Sequence, residues 1–517
     1  MLRITEELLY EECRKLIQKH ERYMRELRKE DVRRKRRVTN PNAGRILRPS
    51  YWDVNKGFDP YYVRSNVSAI TYAVNRALSA RDYAPRSPIA HEVQKSSGGT
   101  RTVSIFQIAD SVVSREVFKS LSSKNRALMS ARSYAYRDDL STHDAIQYVA
   151  SEFRTEERLF IAEYDFSSYF DSISHQHLWN VLDGHDFLMT APERRVVEAF
   201  LGTVLEDEQS YRADPKSKRE PVGIPQGTSL SLFLANVAAW RMDRSLERIG
   251  VGFVRYADDT LIWSRDYGQI NEAVNVLKRE SASIGASLNR KKSEGIRLFA
   301  PLGEKSEIRS TDTVDFVGYR FSRGAVGLNG SVEKRIKNRI HYLVWANLLQ
   351  PLQQGGFAAN RIARPIDRDY VVLLGQIRRY LYGHYSETKV RELERGATKR
   401  VRFPGVLSYF PLAGDHGQLA SLDGWLADVL HQAMKKRAQL LIESGVLRLP
   451  NPHGLSKANF IEAMGKTSDG SPVDLRVPSI RRFVSILNRA AYAHGANVVG
   501  RGIGAEQYQY FVGSAEP

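Results

Sequence analysis

The sequence predicts an α+β protein in which a sheet-forming region is flanked by helical segments. Three observations favour this fold class. Residues 90–108 and 253–263 each combine two apolar or alternating runs with a short polar turn, which is typical of β-hairpins. Residues 159–164 form an apolar run that indicates a further buried strand. Residues 4–37, and most of the chain beyond residue 325, carry apolar residues at helical spacing instead.

Composition and charge narrow the classes of function. With 517 residues, 42% of them hydrophobic, the chain is long enough for two or three domains with ordinary cores. The excess of 77 Lys and Arg over 59 Asp and Glu, a net charge of +18, favours a polyanionic partner such as nucleic acid. No apolar run of about 18 residues and no secretory signal is present, so we expect a soluble cytoplasmic protein without a membrane partner. The single cysteine, Cys13, excludes an internal disulfide and a cysteine-based zinc site; we expect it to be a buried helix residue.

Two adjacent acids, Asp258 and Asp259, occupy the turn of the hairpin predicted over residues 253–263. Taken alone, such a pair is most simply interpreted as a solvated acidic turn. The apolar flanks would, however, bury the hairpin and leave two like charges side by side, which is costly unless a cation neutralises them. A metal site is therefore the alternative interpretation.

A third candidate acid, Asp165, follows the strand predicted over residues 159–164, and a fourth, Asp171, lies on a helix that begins shortly afterwards. An acid at a strand end can meet the hairpin acids in space. Three carboxylates can hold two Mg²⁺ ions about 3.5 to 4 Å apart, a separation that suits in-line phosphoryl transfer. One ion would lower the pKa of an attacking 3′-hydroxyl and the other would stabilise the leaving pyrophosphate, which is the chemistry of a polymerase.

Two further segments provide candidate nucleotide contacts. Residues 223–231 form a Gly/Pro turn that leads into an apolar helix; its glycines allow close backbone approach, and Gln226 offers both a donor and an acceptor. In the hairpin over residues 90–108, Lys95 and Arg101 flank the turn. They are either a clamp for a triphosphate or simply exposed strand charges.

With these motifs in this order, residues 90–325 resemble the reverse transcriptases, specifically the bacterial lineage of retron, group II intron and defence-associated enzymes. The matching segments are residues 98–101 and 141–146 in the fingers, 165–173 for motif A, 223–231 for motif B, 256–259 for the Tyr-x-Asp-Asp box of motif C, 287–293 for motif D and 315–319 for the primer grip of motif E. The resemblance implies a right-hand polymerase fold, with fingers and palm built on an antiparallel sheet, and a largely helical thumb and C-terminal region.

The domain organisation implied by the resemblance has five parts. They are a basic helical arm and connector (1–64), fingers (65–160), a palm with motifs A to E (161–325), a helical thumb (326–400) and a helical C-terminal region (401–517).

The resemblance also implies residue roles. Asp165, Asp258 and Asp259 would ligate two Mg²⁺ ions, which Mn²⁺ can replace, together with the backbone carbonyl of Phe166. Lys292 would donate a proton to pyrophosphate, although Lys291 competes for this role and both are otherwise surface lysines. The remaining substrate contacts would be Lys95 and Arg101 on the triphosphate, with Gln226, Gly227 and Phe170 around the nucleotide.

The choice of sugar depends on Phe170, five residues after Asp165. Ribonucleotide polymerases of the same palm type place an acid there, which bonds the 2′-hydroxyl. An aromatic ring would collide with that hydroxyl, so deoxynucleotides are favoured, unless the acid Asp171 takes this place. One departure from the intron-type pattern, Asp-Arg-Val-Val, is Ser111 in place of the arginine; Arg115, one helical turn further on, is a possible substitute.

We therefore predict an RNA-directed DNA polymerase that uses dNTPs, makes DNA and copies a structured noncoding RNA in antiphage defence. The partner RNA and the defence role are implied by kinship alone. Two alternatives stay open: a maturase-like RNA-binding protein of the group II intron type, and an untemplated or protein-primed polymerase with Tyr508 or Tyr510 as primer. A homo-oligomer is compatible with all three.

Overall fold

The computed structural model shows two compact units. One comprises Met1–Arg22, Ile46–Ala145 and Glu156–Asp312, and the other Tyr23–Arg45, Ile146–Thr155 and Thr313–Pro517. The residues it describes are 2–37, 48–94, 100–155, 158–213, 220–289, 293–301, 303, 306–354, 365–383, 385–396 and 403–499. Both units combine helices with antiparallel strands, which confirms the predicted α+β class. The five-part division of the chain stays a prediction.

Groups of helices are interspersed with strands up to residue 312. The helices are α1 (Glu6–Arg37), α2 (Tyr51–Val54), α3 (Pro60–Ser65), α4 (Val67–Ala80), α5 (Ile108–Lys124), α6 (Thr142–Thr155), α7 (Tyr169–Ser172), α8 (His175–Gly184), α9 (Ala191–Leu201), α10 (Ser229–Ala238), α11 (Trp240–Ile249) and α12 (Tyr267–Ile284). The strands are β1 (Ile89–Gln94), β2 (Thr100–Ile105), β3 (Leu159–Tyr164), β4 (Gly252–Tyr256), β5 (Asp259–Ser264), β6 (Gly295–Phe299) and β7 (Ser310–Thr311).

A five-stranded sheet in the order β4-β5-β3-β6-β7 forms the centre of the first unit. Strand β3 pairs antiparallel with both β5 and β6, and only the short β7 runs parallel to its neighbour. Strands β1 and β2 form a separate antiparallel hairpin. Both hairpins predicted from the sequence are thus present, and so is the buried strand between them.

The apolar helix α10 lies in the core of the first unit and packs against α5 and α8. It begins where the hydroxyl of Thr228 accepts a hydrogen bond of 3.2 Å from the amide of Ser231, which caps the first turn. Eight of its ten residues are buried, so it has no polar face. This burial anchors the turn that precedes α10, the segment predicted to contact a nucleotide.

The second unit is mainly helical. Its strands are β8 (Thr313–Phe316), β9 (Tyr319–Ser322) and β10 (Val326–Leu328), followed later by the pair β11 (Met464–Lys466) and β12 (Pro472–Asp474). Its helices are α13 (Gly330–Val344), α14 (Gln350–Gln353), α15 (Arg368–Tyr382), α16 (Glu387–Glu394), α17 (His416–Glu443), α18 (Lys457–Ile461), α19 (Ile480–His494) and α20 (Ala496–Val499). Tyr382 stacks on Phe483 with ring centroids 4.6 Å apart, which joins α15 to α19 in the core.

Two local predictions need correction. The apolar spacing over residues 455–466 predicts a helix, but the helix stops at Ile461, and Asp469 accepts hydrogen bonds within the turn of the β11–β12 hairpin that follows. The prolines and aromatic residues over residues 40–64 predict an irregular connector, but its described part contains α2 and α3, the latter begun by the capping residue Asp59. Cys13 is buried in α1, as expected. Within the described ranges, no helix is long and apolar enough to cross a membrane.

Candidate active site

The acidic turn lies between β4 and β5. Tyr256 pairs with Asp259, which leaves Ala257 and Asp258 as the two central residues of a tight hairpin turn. Ala257 has a φ of 60°, the left-handed conformation that such turns require at their first central residue. The turn therefore presents Asp258 and Asp259 at one end of the central sheet, with Asp258 half-buried and Asp259 exposed.

The sheet register places Asp165 at the same end. Tyr164 on β3 lies opposite Thr260 on the antiparallel strand β5, so Asp165, which follows Tyr164, and Asp259, which precedes Thr260, lie beyond this pair at the same end of the sheet. On the other side of Asp165, the backbone amide of Asn289 donates to the Asp165 carbonyl at 2.8 Å, and its side-chain amide lies 3.4 Å from the Asp165 carboxylate. The predicted meeting of an acid at a strand end with the hairpin acids is thus built into the sheet.

The residue after Asp165 continues this pairing. Phe166 lies opposite Leu288 in an isolated antiparallel bridge, and the two backbone bonds that frame the bridge involve Asp165 with Asn289 and Ser167 with Ser287. Neither bond uses the carbonyl of Phe166. That carbonyl therefore points away from the segment at 287–289, which is compatible with its predicted role as a metal ligand.

The donor set fits a hard divalent cation. Carboxylate and carbonyl oxygens are the ligands that Mg²⁺ prefers, and Mn²⁺ accepts them too. Among the residues that the structure describes, no three His, Cys, Asp or Glu side chains are grouped closely enough to hold a metal ion. The backbone thus brings the carboxylates to one sheet end without forming a finished site, and metal binding stays a prediction.

The turn at 223–228 lies directly against β2. The carbonyl of Gln226 accepts a 2.5 Å hydrogen bond from the amide of Ser104. Gly227 has a φ of 132°, and a Cβ atom there would lie 2.3 Å from the Ser104 carbonyl oxygen. A glycine is therefore required by the close approach of β2, a packing role that sequence reasoning did not assign. Its predicted contact with a nucleotide is not tested by this packing.

The side chain of Gln226 faces the second acid of motif A. Its amide nitrogen lies 3.3 and 3.4 Å from the two carboxylate oxygens of Asp171. Together with Thr102 and Ser104 on β2, these two side chains line a cleft of about 230 Å³. The structure thus brings Gln226 and the fingers hairpin together around one cavity.

Phe170 belongs to an aromatic cluster beside the acidic turn. Its ring centroid lies 5.9 Å from that of Tyr169 and 6.5 Å from that of Tyr136, both edge to face. Burial and the neighbouring Asp258 carboxylate raise the pKa of the Tyr136 phenol to about 12. Tyr136 therefore lies near both Phe170 and the acidic turn.

The structure describes only some of the basic side chains that were predicted to contact the substrate. Arg101 is exposed on β2, opposite Val93. Lys95, Lys291 and Lys292 lie outside the described residues, as do Tyr508 and Tyr510. Arg115, suggested as a substitute in the fingers, forms an ion pair with Glu12 of α1.

Sequence reasoning missed two side chains that support the site. Asn289 contacts Asp165, and Arg255, which precedes the acidic turn, is buried and paired with Asp243. The signal for Arg255 was present: an arginine within an apolar strand must be neutralised by a partner when it is buried. The partner itself was not visible, because nothing in the sequence says which acid α11 brings to β4.

Residues 93–321 match the family described as reverse transcriptase (RNA-dependent DNA polymerase). None of the curated proteins compared matches the chain. Solved structures with similar folds include apo telomerase from Candida tropicalis truncated from its C-terminal domain, with a TM-score of 0.38 and 13% identity over 50% of this chain and 59% of that one. Telomerase from Candida albicans in complex with a TWJ fragment of telomeric RNA gives a TM-score of 0.37 and 12% identity over 74% of this chain and 66% of that one.

The chain thus spans less than two thirds of the length of these two telomerases. The family match covers the last two residues of β1, all of β2, the end of β3, the turn before α10, and the acidic turn between β4 and β5. The predicted polymerase region is supported at this level: residues 93–321 of this chain match the reverse transcriptase family.

Proposed function

We propose that this protein is an RNA-directed DNA polymerase that adds deoxynucleotides to a 3′-hydroxyl with the help of two divalent cations. The observation that carries the proposal is the β3–β5 register, which brings Asp165 to the same sheet end as the turn with Asp258 and Asp259. In this proposal the three carboxylates and the Phe166 carbonyl hold Mg²⁺ or Mn²⁺. Ions held there would supply activation of the 3′-hydroxyl and neutralisation of the departing pyrophosphate.

The residues around the acidic turn bind the nucleotide. Gln226 lies at the edge of the cleft, and its amide is oriented by Asp171. Phe170 forms the wall that excludes a 2′-hydroxyl, and Arg101 faces solvent on the hairpin, where it can reach a triphosphate. Lys95 acts with Arg101, and Lys292 supplies the proton to pyrophosphate.

The proposed template is a structured noncoding RNA, and the proposed role is antiphage defence in the bacterial cytoplasm. The support is the resemblance of motifs A to E to the defence-associated lineage and the net charge of +18, which suits a large RNA partner. Sequencing the nucleic acid that co-purifies with the protein, before and after dNTPs are added, identifies the template. Recovery of RNA without any complementary DNA after dNTP addition would contradict the proposal.

Activity is tested by single-nucleotide extension of a primer on an RNA template, with dNTPs and NTPs supplied separately. Asp258→Asn and Asp259→Asn should each abolish extension, since an amide cannot replace a carboxylate ligand of Mg²⁺. Asp428→Asn is the matched control, because this acid is exposed on α17, where it pairs with Lys457 at the surface. It should extend the primer at the wild-type rate.

Three results would overturn the proposal. Extension without template would indicate an untemplated transferase, and equal use of NTPs would contradict the role of Phe170. Specific RNA binding and splicing that survive both aspartate substitutions, with no extension by the wild type, would indicate a maturase.

A role in defence is measured separately. Bacteria that carry the gene with its flanking sequence should show a lower efficiency of phage plating, and Asp258→Asn should restore plating. Protection that is unchanged by this substitution would separate the defence role from the polymerase.

A further inference from the structure

Arg255 lies two residues before the acidic turn and is 1% exposed. All five of its N–H donors are used. Nε and one terminal nitrogen donate to the two carboxylate oxygens of Asp243 at 2.8 and 2.7 Å. The others donate to Ser133 Oγ at 2.7 Å, to Asn236 Oδ1 at 3.2 Å and to the carbonyl oxygen of Ala257 at 2.8 Å.

These partners come from four different parts of the first unit. Asn236 is on α10, Asp243 on α11, and Ser133 in the segment between α5 and α6, whereas Ala257 is in the acidic turn itself. A buried ion pair is weak evidence of stabilisation, since apolar residues of similar size often do as well. Its geometry, however, determines where each partner must lie, and one of the partners is the backbone of the turn.

The bond to Ala257 acts at a strained residue. A φ of 60° is unfavourable for a residue with a Cβ atom, by about 1 kcal/mol or more. A carbonyl that accepts a charged hydrogen bond in a buried site is held strongly. Arg255 thus restrains the peptide unit that leads directly into Asp258.

The same arginine also holds the segment that carries Tyr136. The amide of Tyr134 donates to the Arg255 carbonyl at 3.0 Å, and the Arg255 amide donates to the Arg132 carbonyl at 2.9 Å. The Asn236 side chain donates to the Ala135 carbonyl at 2.9 Å. The guanidinium group itself reaches this segment through Ser133 Oγ and, by way of Asn236, through the Ala135 carbonyl. It therefore links the segment that carries Tyr136 to the acidic turn.

We infer that Arg255, held by Asp243, is a positioning residue that sets the acidic turn and the Tyr136 segment in register with each other. The inference rests on the proposed function for its kinetic consequence, while the anchoring of the turn is independent of it. Arg255 does not touch the substrate. It acts by limiting the positions that Asp258 can take when a cation and a nucleotide bind.

The first variant is Arg255→Lys. It keeps the charge opposite Asp243, but an ammonium group has three donors and cannot reach all five acceptors. The second is the double variant Arg255→Met with Asp243→Leu, which removes both charges and keeps the volume, so no uncompensated charge is left. The double variant has no donor left for the Ala257 carbonyl, and the lysine variant must give up at least two of the five bonds.

The matched control is Arg437→Lys. Arg437 is equally buried in the second unit, where it pairs with Asp367 and Asp369 and donates to the Leu348 carbonyl at 2.7 Å. The control therefore loses a buried arginine network of the same kind, distant in sequence from the acidic turn.

The first measurement is hydrogen–deuterium exchange of the peptide that spans residues 256–259. We expect exchange about tenfold faster in both Arg255 variants and unchanged in Arg437→Lys. Equal exchange in the wild type and the folded double variant would overturn the inference. This readout needs no nucleotide, so it decides the anchoring even if the wild type shows no polymerase activity, a result that would overturn only the proposed function.

The second measurement is the rate of primer extension as a function of Mg²⁺ concentration. In the Arg255 variants we expect kcat to fall about 10- to 100-fold and the half-saturating Mg²⁺ concentration to rise about tenfold. A variant that merely lost part of its folded population would keep the wild-type Mg²⁺ dependence. A wild-type dependence on Mg²⁺ concentration in the Arg255 variants would overturn the inference.

Discussion

The backbone amide of Ser104 donates a 2.5 Å hydrogen bond to the carbonyl of Gln226, and this single contact joins the β1–β2 hairpin to the turn before α10. Ser104 follows Arg101 by three residues, and Gln226 is the proposed nucleotide-positioning residue. The two groups proposed to hold opposite ends of a nucleotide are therefore linked through the backbone. A displacement of one displaces the other.

Gly227→Ala should break this contact. The new Cβ would lie 2.3 Å from the Ser104 carbonyl, and the φ of 132° is unfavourable for alanine. We expect a loss of about 2 to 4 kcal/mol in the free energy of unfolding, measured by urea denaturation. Gly184→Ala is the control, because nothing lies within 4 Å of its Cβ position. A Gly227→Ala protein as stable as the control would show that β2 can move away without cost.

Phe170→Ala should weaken discrimination against ribonucleotides. With the ring removed, the contact with Tyr136 is lost and space opens where the 2′-hydroxyl would lie. We expect the ratio of kcat/KM for dNTPs over NTPs to fall about 10- to 100-fold. Phe170→Tyr keeps the ring and should keep the wild-type ratio. An unchanged ratio in Phe170→Ala would remove Phe170 from the account of sugar selection.

Asp110 should make the stability of the protein depend on pH. It is 5% exposed, and burial raises its pKa from 3.8 to about 6, although bonds from Tyr83 and Arg86 lower it. A carboxyl group whose pKa is raised by folding stabilises the folded state at pH values below its pKa in the unfolded chain. This stabilisation is lost as the pH rises through about 6, the pKa in the folded protein. Relative to Asp110→Asn, the wild type should lose about 2 to 4 kcal/mol between pH 4 and pH 7, as measured by urea denaturation.

The control for Asp110 is the same substitution at the exposed Asp428. A constant difference between the wild type and Asp110→Asn over this range would mean that Asp110 stays ionised in the folded protein.

Glu193 should act in the opposite direction. Burial raises its pKa, but hydrogen bonds from Lys124, Ser120 and Thr190 outweigh burial and lower it from 4.5 to about 2. A carboxyl group whose pKa is lowered by folding stabilises the folded state at pH values above its pKa in the unfolded chain. This stabilisation is lost as the pH falls through about 2, the pKa in the folded protein. Glu193→Gln should therefore cost about 2 to 3 kcal/mol at pH 7 by urea denaturation, and less near pH 3 by thermal unfolding.

Glu198→Gln is the control for Glu193, because Glu198 lies on the same helix, has a side chain that is 50% exposed and pairs with Arg194 at the surface. It should change the free energy of unfolding by less than about 1 kcal/mol. An equal loss in the two variants would attribute the effect to the helix rather than to the buried bonds of Glu193.

Much of the secondary structure around the candidate site could be predicted from residues that are close together in the sequence. The hairpin around Asp258, the strand before Asp165 and the helix after Gln226 follow from the spacing of apolar residues and from turn residues, which act over a few positions. Where a local signal was weaker, the prediction was wrong: β11 formed in place of the last turn of a helix, because the apolar spacing over residues 455–466 does not register the turn around Asp469 that pairs β11 with β12.

The sequence by itself determined the fold class, the reverse transcriptase motifs and the acids of the proposed site, since each is encoded by neighbouring residues. Only the tertiary structure decided that Asp165 lies beside the acidic turn, that Gly227 must make room for β2, and that Arg255 reaches Asp243. The physical reason is the separation in sequence over which each signal acts. The periodicity of apolar residues shows that a strand or helix will form and which face is buried. It does not show which distant side chain will satisfy a buried charge.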